Sequence, residues 1–328
     1  MTSLLLKKSI LGAEAWTGAE LNARGYLRFL SPRLLAALQG ALEHVKARGL
    51  RAPGFGKADF PLHGVEDELS TYVAELQHGQ GFLALRGLPA ERYSEDEMAI
   101  VYYGMGLHMG IPVTQNEGGE LIAEVINVGD KGDRKTRVYQ TNAYLPDHSD
   151  LSDVVGLLSL RKAKEGGMSS LISVAAIYNR ILRDYPEYLA LFYKPFYFAH
   201  LGEALPSLSP IFSYNAGKLS CRYMRQYIEL GHDLRGLPLS RIEMEALDLF
   251  DSILAEPDLR LDMLLEAGDI QFANNYAVLH SRTGFEDHEK PHERRKLLRL
   301  WLKMAEPREL APDFPGRNGI AARVAVPA

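Results

Sequence analysis

From about residue 120 the chain is written in short apolar segments of strand length, and this texture constrains its fold more than any other feature. The segments fall at residues 121–128, 137–141, 154–160 and 170–174, and again at 269–273, around 277–280 and at 297–304. Clusters of Gly, Asp and Asn such as Asn127-Val-Gly-Asp-Lys-Gly-Asp133 separate them, and these residues favour turns. A doubly wound α/β fold needs helices alternating with strands, and no Gly-rich phosphate loop is present. Helical patterning gathers instead at the front and in one insertion. Ser31-Pro32 opens an amphipathic run with Leu34, Leu35, Leu38, Leu42 and Val45 at helical spacing, and a second helix is expected at about 66–77. The segment between Gly81 and Gly87 reads as a buried strand, and Ser94 with Glu97 three residues on forms a capping box for a helix reaching about His108. Further helices are expected at 175–183 and 240–254. The pattern predicts a mainly β jelly-roll with flanking helices: a helical layer with the first strands over 1–115, a core over 120–304 and a lid-like insertion at about 175–260. The tail over 307–328, rich in Pro, Gly, Arg and Ala, is expected to be loosely ordered. One domain over 1–328 accommodates all of this.

Charge and cysteine content narrow the function. The formal charge is −5, and the 37 basic residues are scattered rather than clustered, which argues against a nucleic-acid partner. Cys221 is the single cysteine, so neither an internal disulfide nor a Cys-rich zinc site is available. The apolar Leu4 to Leu6 precede lysines, the reverse of a signal peptide, and no apolar run is long enough to cross a bilayer. A cytoplasmic protein without a membrane partner is expected, and homo-oligomerisation is left open.

The chemistry concentrates in Pro146-Asp-His-Ser-Asp150. On a strand, or at its end, the period of two turns His148 and Asp150 to one face and Asp147 to the other. An imidazole and a carboxylate so placed, joined by a second histidine, form a facial triad that leaves adjacent positions open on iron(II). The candidate second histidine is His280, which closes the segment Gly268-Asp-Ile-Gln-Phe-Ala-Asn-Asn-Tyr-Ala-Val-Leu-His280. His288 and His292 compete poorly, since they fall in a charged loop. In Arg294-Arg-Lys-Leu-Leu-Arg-Leu-Trp-Leu302 the odd positions share a face, so Arg295 and Arg299 stand about 13 Å apart at strand rise and can serve one cavity. The competing reading is a solvated arginine pair on an edge strand.

His148-Ser-Asp150, the Gly166-Gly-Met-Ser169 turn, Gly268-Asp269 leading to His280, and Arg294-Arg-Lys-Leu-Leu-Arg299 together resemble the taurine dioxygenase-type (TauD/TfdA) 2-oxoglutarate oxygenases in order and spacing. The resemblance runs over roughly residues 80–303. It implies a double-stranded β-helix of the clavaminate synthase-like kind, with Fe(II) held by His148, Asp150 and His280, and 2-oxoglutarate and dioxygen as co-substrates. It also implies that the distal carboxylate of 2-oxoglutarate is held by Arg295 and by the Ser169 hydroxyl, with Arg299 near cofactor or substrate. Arg294 and Arg299 remain alternatives to Arg295, and Ser170 to Ser169.

The implied reaction is oxidation, foremost hydroxylation, of an unactivated C–H bond in a small carboxylate- or amino-acid-like substrate, with release of succinate and CO2. Desaturation or ring closure uses the same cofactors and stays open, as does a cupin-like binding protein without turnover. Gln140, Asn142 and Tyr144 share the parity of His148 if the chain is extended, and are candidates for the pocket or for a strand's polar face. Arg222 and Arg225, near Tyr214, Tyr223 and Tyr227, lie in the insertion that relatives use as a lid, which makes them candidates for an anionic substrate.

Overall fold

The computed structural model describes residues 5–128, 140–199, 205–316 and 318–321. Two sheets face each other. The larger runs in the order β1 (Leu27–Phe29), β2 (Phe82–Arg86), β14 (Ile270–Asn274), β6 (Val154–Arg161), β17 (Lys296–Lys303) and β3 (Ile111–Pro112), with β4 (Ile122–Ile126) also paired to β17. The smaller runs β13 (Leu261–Met263), β8 (Ser169–Ser173), β15 (Val278–Arg282) and β5 (Leu145–His148). A short pair, β7 (Glu165–Gly166) with β16 (Phe285–Glu286), closes one edge. This is the double-stranded β-helix architecture.

Strand periodicity explains the layering. In β17, Leu297 and Trp301 point between the sheets, where they meet Leu171, Leu261 and Val278, while Leu298, Leu300 and Leu302 point outward. The outward face is covered by helices α2 (Pro32–Ala47), α3 (Glu66–His78) and α4 (Glu95–Met109), preceded in the chain by α1 (Gly18–Arg24). Ser31 caps α2 by accepting the Leu34 N–H, with Pro32 at its first position, and Ser94 and Glu97 form the capping box of α4. Helix α4 lies hard on β17: a Cβ at Gly106 would come within 2.3 Å of Leu300 Cδ2. The outer face of the smaller sheet, through Ile172 and Leu279, packs on the insertion.

The insertion holds α5 (Val174–Asp184), α6 (Arg225–Arg235) and α7 (Arg241–Leu254), the last capped by Ser240 and Glu243. It also holds two hairpins that the helical pattern did not announce, β9 (Pro195–Phe198) with β10 (Ser207–Pro210) and β11 (Phe212–Asn215) with β12 (Lys218–Cys221). The strand expected at 170–174 sits one residue earlier, because Ser173 Oγ accepts the Ala176 N–H and starts α5 at Val174. The strand expected at 137–141 lies outside the described residues for 137–139, and Gln140 and Thr141 are in a turn.

The tail corrects another expectation. Its described part from Pro307 is packed rather than loose: Phe314 is fully buried beside Arg222 and Tyr276, and the Ile320 and Gly319 N–H groups donate to Thr114 O and Leu151 O. Composition misleads here because one buried aromatic and a few backbone bonds anchor a Pro/Gly-rich segment. No helix among the described residues is long and apolar enough to cross a membrane.

Candidate metal and co-substrate site

The site begins with a strand register. In the antiparallel pair β15–β5, His280 and His148 are direct partners, so both imidazoles leave the sheet on one face, with ring centroids 4.2 Å apart. Asp150 lies two residues beyond the end of β5. The chain there is held in place by the Ser149 N–H donating to Tyr223 O at 3.0 Å and the Asp150 N–H donating to Asn275 Oδ1 at 3.0 Å. Period two therefore continues past the strand, and the Asp150 carboxylate lies 3.9 Å from His148 Nε2 and 3.5 Å from His280 Nε2. Three donor atoms, one from each residue, lie within 4.8 Å of one another. Trp301 Nε1 donates to Asp150 Oδ2 at 3.1 Å and fixes the carboxylate plane.

The protonation states suit a cation. His148 Nδ1 sits 2.8 Å from Pro146 O, which puts the ring proton on Nδ1 and turns the Nε2 lone pair toward Asp150. Burial, then the neighbouring His280, pushes the His148 imidazolium down to about 4, against the pull of Asp150. Burial would raise the Asp150 carboxyl, but the hydrogen bond and charge of His280, then Arg299 and His148, outweigh it and hold it well below the usual carboxylate range. A neutral imidazole and an ionised carboxylate converging in a buried spot match the nitrogen and oxygen donors that iron(II) takes. His280 Nδ1 is buried without a hydrogen-bond partner, so the ring is oriented through its Nε2 contact with Asp150 and its packing in β15.

A cavity of about 300 Å³ opens on the triad and receives Ser169, Arg282, Arg295, Leu297, Arg299 and Trp301 on one side. Arg295 and Arg299 thus share the inner face of β17, as their odd spacing predicts. Arg295, like Arg282 and Arg299, is buried and lines the cavity. It stacks 5.1 Å from the Phe285 ring centre, and burial with the nearby Arg282 charge brings it down to about 9. Arg282 stacks on the same ring at 4.7 Å but spends its donors on Thr141 O, Ala143 O and Thr283 O. Arg299 donates to Gln115 Oε1 at 2.6 Å and lies over Trp301. Arg294 is exposed and turned away from the cavity.

The glycine pair before Ser169 has a physical reason. Gly166 and Gly167 both adopt left-handed φ, 74° and 71°, and a Cβ on Gly167 would sit 3.1 Å from Arg295 Nε. The turn therefore leaves room for the Arg295 side chain against Gly167, two residues before Ser169. Ser169 faces the cavity, whereas Ser170 points to the other face and bonds Asp262. The Ser169 hydroxyl meets Gln271 Oε1 at 2.7 Å, while Gln271 Nε2 is buried without a partner. Turning that amide over lets Nε2 donate to Ser169 Oγ and frees the hydroxyl proton for a carboxylate.

The remaining candidates are placed differently. Gln140, Asn142 and Tyr144 do not line the cavity, because the chain turns at 140–143 instead of running extended. Asn142 is paired with Phe285 through main-chain and side-chain bonds, Tyr144 is half exposed with its hydroxyl on Asp147, and the Gln140 carbonyl accepts from Val128. Arg222 stacks on Phe314 and donates to Pro315 O, and Arg225 is tied to Glu229, Asp248 and Asp251. Neither reaches the large cavity, whereas Tyr227 does. Gln115, Gln271 and Arg282 escaped sequence reasoning. Only Arg282 carried a usable signal, its parity with His280.

The taurine catabolism dioxygenase TauD, TfdA family matches residues 46–301. The chain is 34% identical over 317 residues to FR-33289 synthase of Streptomyces rubellomurinus (strain ATCC 31215), covering 93% of each. It is 27% identical over 300 residues to the taurine hydroxylase-like protein SAT17 of Stachybotrys chartarum (strain CBS 109288 / IBT 7711), covering 87% of this chain and 77% of that one. Among solved structures, asparagine oxygenase in complex with Fe(II), 2S,3S-3-hydroxyasparagine and succinate superposes with TM-score 0.67 at 17% identity, covering 85% and 93% of the two chains. The non-heme iron oxygenase OrfP in complex with Fe and alpha-ketoglutaric acid does so with TM-score 0.62 at 15% identity, covering 84% and 93%.

Proposed function

The chain belongs to the taurine catabolism dioxygenase TauD, TfdA family of oxygenases, and we propose that it oxidises a C–H bond of a small carboxylate-bearing substrate at an iron(II) held by His148, Asp150 and His280. The observation that carries this reading is the register pairing of His280 with His148, which brings two imidazoles and the Asp150 carboxylate to one end of a buried cavity. Iron held there would supply the dioxygen activation that couples conversion of 2-oxoglutarate to succinate and CO2 with oxidation of the substrate.

The chain's own residues do the rest. Arg295 holds the distal carboxylate of 2-oxoglutarate with help from the Ser169 hydroxyl, and Gln271 sets which way that hydroxyl points. Arg282 adds positive charge beside Arg295 from across the Phe285 ring. Trp301 and Asn275 keep Asp150 in place, which fixes the open side of the triad toward the cavity. The apolar wall formed by Leu145, Leu151, Met224, Tyr227 and Ile320 keeps water away from the reacting carbon and lets substrate contacts position it.

Hydroxylation is the reaction this arrangement supports best, since among the described lining residues the only carboxylate and imidazoles are those of the triad. The test is oxygen-dependent release of CO2 from carboxyl-labelled 2-oxoglutarate by the iron-loaded protein. The slow turnover without substrate should vanish in Asp150→Ala. Label release that persists in Asp150→Ala, or an iron-loaded wild type that releases none, would contradict the assignment.

A further inference from the structure

We propose that Ile320, carried on the C-terminal tail, is a specificity-determining residue: its side chain closes part of the cavity and limits how bulky an apolar group can lie beside the metal. The inference rests on the oxygenase reading above and deepens it.

The tail reaches the site through its backbone. The Gly319 N–H donates to Leu151 O at 2.7 Å, and the Ile320 N–H donates to Thr114 O at 2.9 Å. The Thr114 hydroxyl completes the pairing by donating to Ile320 O. Both anchor points adjoin the site. Leu151 directly follows the triad residue Asp150, and Thr114 directly precedes Gln115, which accepts the Arg299 Nε–H at 2.6 Å. Gly319 makes so close an approach possible: its φ is 83°, and a Cβ there would fall 2.4 Å from Thr114 O. Upstream, the buried Phe314 ring fastens the tail a second time.

These bonds occupy the main chain of Ile320 and leave its side chain to another task. That side chain lines the cavity together with Leu151 and Trp301. It packs at the margin of the cluster between the sheets and is half-buried. A branched hydrocarbon packed on one side and facing the cavity on the other is a wall, and its size sets the free space. Ile320→Ala removes three carbons and leaves room for an apolar group of similar bulk, whereas Ile320→Trp fills the space. In an apolar pocket one methylene too many or too few changes selectivity by about tenfold or more.

The probes are N-oxalylglycine, an isostere of 2-oxoglutarate, and the N-oxalyl derivatives of both enantiomers of alanine, valine, leucine and phenylalanine. The derivatives keep the chelating end and add an apolar arm. Each is titrated anaerobically against the iron(II)–2-oxoglutarate protein, and displacement is read as loss of the visible chelate band. Ile320→Ala should bind at least one branched or aromatic probe about tenfold more tightly than the wild type does, and Ile320→Trp should bind the same probe about tenfold more weakly. N-oxalylglycine should bind all of these proteins alike, which reports an intact fold and co-substrate end. Gly319→Ala pushes the tail off Thr114 without altering the Ile320 side chain, and should move the arm-bearing probes in the direction of Ile320→Ala. The same order of affinities in the wild type and both Ile320 variants overturns the proposal. So does a loss that falls equally on N-oxalylglycine, or a Gly319→Ala protein that matches the wild type probe for probe. In each of those cases the wild-type band leaves the oxygenase reading standing; a wild type without the band sinks that reading and the inference with it.

Discussion

Asp150 is a carboxylate buried among two imidazoles and an arginine, and His148 beside it is an imidazole that resists protonation; both facts make the apoprotein sensitive to acid. The folded apoprotein refuses a proton on His148 until about pH 4, while an unfolded histidine accepts one near pH 6.5. The unfolded state therefore binds more protons between those values, so apoprotein stability falls as pH drops through that window, by on the order of 3 kcal/mol at most. Urea unfolding midpoints measured at intervals from pH 7 to pH 4 should show this loss, and His148→Gln should flatten it; an equal slope in the variant would contradict the assignment. A second residue-scale prediction concerns Gln271. Gln271→Leu removes the partner that orients the Ser169 hydroxyl and should raise the half-saturating 2-oxoglutarate concentration about tenfold, the equivalent of ~1.4 kcal/mol. Iron binding should be unchanged, and an unaltered 2-oxoglutarate curve would show that the hydroxyl needs no such partner. The sequence reveals His148 with Asp150 because their relation is local, two positions on one strand. It hides Gln271 and Gln115 because their contacts arise only when β14 meets β8 and when the chain after β3 meets β17.

Helix α6 is the element whose placement decides access to the cavity. Tyr227 and Leu230 face the site, and Gly231 lies against the β9 backbone, where a Cβ would fall 2.3 Å from Tyr197 O. Gly231→Ala must push α6 off β9. Substrate KM should rise several-fold, while the iron–2-oxoglutarate band forms normally; an unchanged KM would mean that α6 does not shape the substrate end. No side chain caps the start of α6 at Met224, which is why no helix start was readable there. Helices α2, α4 and α7 were readable because each carries a serine cap, to which α2 and α7 add a buried stripe of helical spacing. The tail is an element of another kind, anchored by one aromatic. Phe314→Ala should cost about 3–5 kcal/mol, read as a fall in Tm, because a fully buried ring is lost between Arg222 and Tyr276.

At the scale of the whole molecule, the two sheets hold one half of the metal site by strand pairing and the other half by position. The smaller sheet carries both histidines, and β17 of the larger sheet brings Arg295, Arg299 and Trp301 across the gap. Occupation of the site therefore ties the sheets together and should stabilise the folded chain by about 2.7 kcal/mol when iron is present at a hundredfold its dissociation constant. A chelator should lower Tm by the corresponding amount in the wild type and leave Asp150→Ala unmoved. The jelly-roll with its helical front was legible from strand length and turn chemistry, whereas the union of His280 with His148 required either the fold or the family resemblance, since nothing local links residues so far apart. The most direct test of that union is an anaerobic titration of apoprotein with iron(II) and 2-oxoglutarate, followed by the weak visible charge-transfer band of the chelate, with His148→Ala and Arg295→Ala alongside. The account predicts a band in the wild type, none in His148→Ala, and a band in Arg295→Ala that needs about ten- to hundredfold more 2-oxoglutarate. A folded, iron-loaded wild type with no band, or a band untouched by His148→Ala, would contradict it.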